Sequence, residues 1–546
     1  MSYRAHRLLI PLAALIPILP LLVHGPSCGH DFDFHVLSWL EAARQMLHAH
    51  YPVWAYTPAF NAGEPRFLFY PPASWLTGAM LGLILPWHFV PVVFTWLALA
   101  LSGLTLQRLA LRYTTPTAAT LAAVFYLANP YMLFTAYERT AYGELLAAAW
   151  IPLLLAAMLA PAINIAALAI PVALLWVTNA PAAVMSCYAL ALLGLIRLIQ
   201  TPKTQSRLNL AKNTTAGVVL GLALASFYVL PAVVNQPLVQ TAMAVIPGMA
   251  IADNTLFHHT PDADHDVVLH TASLLAVLLL VLTAAALVRL PRYLQVPLAI
   301  LTGVIAFLLT PPSLPLWHHA PELIFLQFPW RFLAIVAAVL ALATAVNFRK
   351  LNLKPLPLTL VSLAIATGLS LAAFRVFNQP CDTPDTVEAR VALFHSTAGT
   401  EPTDEYTPAI ADNDSLHKND PPYWLSPNPD ALPPADAVAG PVPDHLTLTA
   451  PVPETLILNR RRFPLWTVEL NGHPAALEPP DTREDDLIAL QVPAGADTID
   501  LTLHRSHNEN LGLGLSLASL LTLLYLRKKS GDRAPIGVLQ SPDGRP

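Results

Sequence analysis

The chain is built from repeated runs of about 17 to 22 apolar residues without a charge, each long enough as an α-helix to cross about 30 Å of hydrocarbon. Only 12% of the 546 residues are charged and 55% are hydrophobic, whereas a soluble domain carries about 25% charged residues. No soluble core absorbs that excess, so the reading is an α-helical polytopic membrane protein. Spans are expected at residues 8–24, 89–110, 116–134, 144–160, 163–178, 182–199, 214–234, 271–288, 293–310, 329–347, 355–374 and 509–526, about twelve in all. The run at 74–85 is too short to cross and is read as interfacial. The first run follows Arg4 and Arg7, contains Pro11, Pro17 and Pro20, and lacks a small-x-small cleavage site. It is read as a retained span rather than a signal peptide.

Basic residues fix the orientation. Arg108 with Arg112, Lys203 with Arg207 and Lys212, Arg289 with Arg292, Arg349 with Lys350 and Lys354, and Arg527 with Lys528 and Lys529 fall in alternate loops. The positive-inside rule then puts both termini in the cytoplasm and the chain in the inner or plasma membrane. Residues 25–88, 135–143, 235–270, 310–328 and 375–507 face outward, and only Lys418 of the seven lysines lies among them. The expected domains are a transmembrane unit at 1–374 with outer loop 25–88, an extracytoplasmic unit at 375–508, the last span at 509–526 and a cytoplasmic tail at 527–546. Within the extracytoplasmic unit, 376–440 is Pro-rich and read as extended. Alternating segments at 446–449, 455–458, 466–470, 487–491 and 498–503, with turn signals at Asn471-Gly472 and Ala494-Gly495, predict a β-sandwich in which Trp466 is buried. Cys28 and Cys381 share the outer side and can pair in an oxidising compartment, two thiols being the plainer reading.

A net charge of −5 and three cysteines give neither a basic surface for nucleic acid nor a zinc-ribbon spacing. The sequence contains no Walker A loop, dinucleotide fingerprint or nucleophile elbow. Charges in mid-span are nearly absent, unlike the relays of ion-coupled transporters.

Chemistry is left to the outer loops. The first begins Gly29-His30-Asp31-Phe32-Asp33-Phe34-His35 and continues with Trp39, Glu41 and Arg44 on an amphipathic helix. Carboxylates at Asp31 and Asp33 suit a general base or a divalent cation, and equally the cap of a helix. The second holds Glu138, Arg139 and Glu144 in an apolar setting, as a cavity wall or as an ion pair. A third, Gln327-Phe328-Pro329-Trp330-Arg331, sets a guanidinium at headgroup depth, suited to a lipid phosphate. The acidic and histidine-rich stretch His258-His259-Thr260-Pro261-Asp262-Ala263-Asp264-His265-Asp266 matches no zinc or EF-hand spacing and reads as a solvated loop.

The order of these motifs, with Tyr51-Pro52-Val53-Trp54, Asn61-Ala62-Gly63-Glu64-Pro65, Phe69-Tyr70-Pro71-Pro72, Glu405-Tyr406-Thr407-Pro408 and the strand region at 466–472, resembles C-type glycosyltransferase-like (GT-C-like) membrane proteins. Among these it is similar to the YfhO-like group and to the membrane family described as 6-pyruvoyl-tetrahydropterin synthase-related. The resemblance covers most of the chain. It implies a GT-C-like membrane fold and a catalytic acid on the first outer loop beside a polyprenyl-phosphate sugar donor. That acid is Asp31 or Asp33, with the start of the loop favouring Asp31. It also implies a second-loop acid at Glu138 or Glu144. Pterin synthase activity does not carry over, because no soluble zinc-histidine domain is present. The chain departs from better-known glycosyltransferases in lacking a clear acceptor-recognition motif. The expected reaction is inverting glycosyl transfer at the outer face, with Arg139 and Arg331 on the phosphate beside Glu138 and Glu144, and with His30, His35, Gln327 and Trp330 as accessory residues. The expected partners are membrane lipid and a lipid-linked sugar. The rival reading is a non-enzymatic protein that binds or moves lipid-linked sugar or scaffolds envelope assembly.

Overall fold

The computed structural model describes residues 3–201, 207–245 and 248–531; Lys203 and the tail past Gly531 lie outside them. Among the described residues eight helices are long and apolar enough to cross a membrane: Arg4–His24, Trp87–Ala110, Pro116–Tyr137, Ala180–Gln200, Ala263–Leu287, Pro329–Asn347, Pro355–Phe377 and His507–Lys529. Two further pairs, Arg207–Leu224 with Ser226–Leu238 and Arg292–Leu308 with Pro311–His319, bend by 79° and 98° and raise the number to ten if each is one span. The segments expected at 144–160 and 163–178 form the shorter apolar helices Tyr142–Met158 and Ile165–Thr178. The expected count therefore reduces to eight to ten among the described residues, because apolarity alone does not report helix length.

Proline places many of the helix starts. Pro72, Pro91, Pro116, Pro130, Pro152, Pro181 and Pro355 sit in the first turn of their helices, where the missing N–H costs nothing and the fixed φ suits the helix. The first span breaks between Ala13 and Leu15, where the Pro17 ring removes the bond to the Ala13 carbonyl. The run read as interfacial is the helix Pro72–Gly82, far shorter than the roughly 20 residues a span needs. Its Trp75 and Ala79 are fully buried.

Among the described residues seven strands follow in two sheets: β1 (Tyr423–Ser426), β2 (His445–Ala450), β3 (Glu454–Arg461), β4 (Trp466–Leu470), β5 (His473–Pro474), β6 (Leu487–Val492) and β7 (Gly495–Leu503). The sheets run β1-β3-β6 and β2-β7-β4-β5, with antiparallel neighbours throughout. Leu446, Leu456, Leu458, Val468, Ile488, Leu490, Ile499 and Leu501 fill the space between them, so the expected sandwich is present. Asn471 and Gly472 both take positive φ in the turn before β5, as a tight hairpin demands. Trp466 is only half-buried; its ring packs edge-on against Trp54 of the first long loop.

Two features were outside the sequence reading. β3 is buried on both faces, because Ile457, Leu487 and Ala489 also pack on Ala59, Phe60 and Ala62 of that loop. The segment read as extended contains the helix Val387–Phe394, capped by Thr386, whose side chain accepts from the Ala389 N–H. A Cys28–Cys381 disulfide, the less plain of the two readings, ties the end of the first span to the chain leaving Pro355–Phe377.

Candidate functional site

The helix Phe32–Leu47 follows the first span after the short segment 25–31, and Asp31 occupies its N-cap position without a side-chain capping bond. The Asp31 N–H donates to the Arg139 carbonyl at 3.0 Å, which presses this turn against the loop after Pro116–Tyr137. Gly29 makes that approach possible, since a Cβ there would lie 2.0 Å from the Glu138 carbonyl oxygen.

Four expected residues converge at this junction. Arg139 Nη1 donates to Glu144 Oε2 at 2.6 Å, and Arg331 Nε lies 3.3 Å from the same oxygen. Tyr131 donates its hydroxyl to the other carboxylate oxygen at 2.7 Å. Asp31 Oδ2 is 3.8 Å from Arg139 Nη2, and its side chain is 40% exposed while those of Arg139 and Glu144 are 5% and 4%. Two buried guanidinium groups thus share one buried carboxylate, and an accessible carboxylate stands at their edge. Burial opposes the charge on Arg139, but Glu144 and Asp31 outweigh it and raise its pKa further. The Arg331 Nε has no aligned hydrogen-bond acceptor among the described residues, and Arg331 Nη1 is held by the Leu326 carbonyl at 2.7 Å.

The other expected residues serve different ends. Asp33 turns to Arg390, which also donates to Asp385 at 2.5 Å; burial raises the Asp33 pKa despite Arg390. Glu138 accepts from the Gln379 amide at 2.6 Å, away from Glu144, and burial raises its pKa. His35 is enclosed by Trp39, Tyr70 and Tyr142, and burial pushes it down to about 4, so it is neutral at physiological pH and acts as packing. His30 is exposed. Gln327 orients Arg331 weakly at 3.4 Å and donates to the Ala244 carbonyl at 2.6 Å. Trp330 stacks on Phe328 at 4.7 Å, and the Phe328 face lies under both Arg139 and Arg331, at 5.7 and 5.1 Å.

Three contributors were missed. Tyr131 fixes Glu144, Phe328 underlies both guanidinium groups, and Arg390 removes Asp33 from the site. The Thr386 cap and the apolar positions after it were the available sign of the helix that carries Arg390. Burial pushes Glu405, next to Tyr406 in the chain, up to about 7.

A divalent cation does not suit this arrangement as it stands. Asp31 and Asp33 point to separate arginines, and among the described residues no group of three or more His, Cys, Asp or Glu side chains converges to hold a metal.

Fold and site together define a multi-pass α-helical membrane protein with a β-sandwich packed on its first long loop and an acid–guanidinium cluster at the start of the helix Phe32–Leu47. No protein-family model matches the chain, and no curated protein matches it either. Among solved structures it is similar to the arabinofuranosyltransferase AftD from Mycobacteria, with 17% identity and a TM-score of 0.44 over 93% of this chain and 40% of that one. A mutant of AftD gives 16% identity and a TM-score of 0.46 over 93% and 42%. The archaeal oligosaccharyltransferase AglB from Archaeoglobus fulgidus, in complex with an inhibitory peptide and a dolichol-phosphate, gives 13% and 0.38 over 69% and 56%. The chain thus spans about two fifths of the length of AftD.

Proposed function

We propose that the chain is an inverting membrane glycosyltransferase of GT-C type that uses a polyprenyl-phosphate-linked sugar at the outer face of the cell membrane. The observation that carries this reading is the accessible Asp31 carboxylate beside two buried guanidinium groups that share the Glu144 carboxylate. The positive-inside distribution supports the outward orientation of that end, with cytoplasmic termini, a transmembrane unit at 1–374 and an extracytoplasmic unit at 375–508. The resemblance of the motif order to YfhO-like and 6-pyruvoyl-tetrahydropterin synthase-related membrane proteins supports the reaction class.

In the proposed reaction Asp31 accepts the proton of the acceptor hydroxyl as that oxygen attacks the anomeric carbon. The bond from carbon to the phosphate oxygen breaks on the opposite side, and the electron pair leaves with the phosphate. Arg331 and Arg139 meet the charge that grows on the phosphate. The four groups Asp31, Glu144, Arg139 and Arg331 sum to zero charge at rest. Protonation of Asp31 leaves them one unit positive as the leaving phosphate gains one negative charge, so the cluster suits the transition state more than the ground state.

Transfer of labelled sugar from a polyprenyl-phosphate donor to acceptors in reconstituted membranes tests the reading. Asp31→Asn is expected to lower transfer by about 100-fold or more, with donor retained. Unchanged transfer, or donor export without a new glycosidic bond, would favour the binding or transport role.

A further inference from the structure

A second charged cavity lies at the opposite end of the bundle. Phe94, near the start of the helix Val90–Ala110, stacks on Trp39 of the Asp31 helix. Arg108 lies 14 residues further along, roughly 21 Å down the helix axis. There a half-open cavity of about 260 Å³ is lined by Arg108, Arg112 and Arg527, with Leu153, Ala157 and Ile170 on its apolar wall.

Among the described residues no Asp or Glu lines this cavity, so three guanidinium groups face it without a counter-charge there. Arg112 is partly engaged, donating to the Ala156 carbonyl. The side chains of Arg108 and Arg527 are exposed and make no ion pair or hydrogen bond among the described residues. Ala166 and Ala167, in the first turn of the helix Ile165–Thr178, complete the wall. The positive end of that helix dipole therefore adds to the arginines. Three cations collected from separate parts of the chain repel one another, and an anion relieves that repulsion. The apolar wall adds a second requirement, since a free hydrated ion gains nothing from Leu153 or Ile170. The volume suits a headgroup and the first methylenes rather than a whole lipid.

We infer that this cavity binds the phosphate headgroup of an anionic membrane lipid, with its acyl chains leaving along the apolar wall. The lipid would bridge the Val90–Ala110 helix to the last span, which carries Arg527. This site is separate from Asp31 and does not depend on the proposed chemistry there.

Thermal unfolding of the full chain in nanodiscs tests it. Adding phosphatidylglycerol to phosphatidylcholine nanodiscs is expected to raise the Tm by about 2–4 °C, and millimolar inorganic phosphate to give no comparable rise. The double variant Arg108→Gln/Arg527→Gln should keep the wild-type Tm in phosphatidylcholine and lose the response to phosphatidylglycerol. Arg349→Gln, a basic residue outside the cavity, should keep it. An equal response in the double variant, loss of the response in Arg349→Gln, full reproduction by inorganic phosphate, or no response in the wild type would each overturn the assignment.

Discussion

Asp31 and Asp33 are two residues apart, yet one faces Arg139 and the other is claimed by Arg390. In an extended segment both would lie on one side; here the helix starts between them, at Phe32, and each residue advances about 100°. The sequence shows both acids, but the choice between them depends on the register of that helix start and on an arginine more than 350 positions away. Arg139, Glu144 and Arg331 were legible as lone charges in apolar surroundings; that one carboxylate serves both arginines was not, because this requires three segments to meet. Glu144 is buried and holds two guanidinium groups, so Glu144→Gln leaves both under-compensated. That variant should lose about 3–5 kcal/mol of stability, read from chemical denaturation in detergent, and should bind donor more weakly. Wild-type stability in Glu144→Gln would show that the arginines are held by other groups.

At the scale of elements, the five strand segments read from alternation all lie in the sandwich, because a half-buried strand writes its pattern in period two. β1 escaped because it is only Tyr423–Ser426, in a Pro-rich setting. The two-sided burial of β3 was hidden as well, since its second cover comes from Phe60 and its neighbours. Trp466 is less buried than its alternation implied, although its ring also packs edge-on against Trp54 of the first loop. Asp486, beside β6, is 3% exposed. Burial pushes its pKa up to about 7 against the pull of Arg462 and Arg461. A carboxyl raised on folding contributes stability at pH values below its unfolded pKa, and loses it as pH rises through the folded value. The Tm advantage of wild type over Asp486→Asn should therefore shrink as pH goes from about 4 to 8. An advantage that grows over that window would mean that the carboxylate is net stabilised by the arginines.

For the whole molecule, hydropathy revealed the membrane class and the places of the helices, and stopped short of the number of crossings. Bends of 79° and 98° and the short helices Tyr142–Met158 and Ile165–Thr178 look alike as apolar runs; only the backbone path separates them. The orientation rests on the alternation of basic loops, so Lys350 should label from the cytoplasm, and Ser396 and Asn471 from outside, when each is replaced by Cys in the intact cell. Labelling of position 350 from outside would invert the arrangement and put Asp31 on the wrong side for an outward reaction. The disulfide between Cys28 and Cys381 agrees with an oxidising outer compartment.

The division of labour between Asp31 and Asp33 exposes the proposed chemistry most directly. Asp31→Asn and Asp33→Asn would each be asked to restore the envelope glycan of a strain lacking this protein, with abundance matched by blotting. Asp31→Asn is predicted to fail while Asp33→Asn restores most of the glycan. Full restoration by Asp31→Asn at normal abundance would contradict a proton-accepting role for Asp31, and with it the glycosyltransferase mechanism built on that residue.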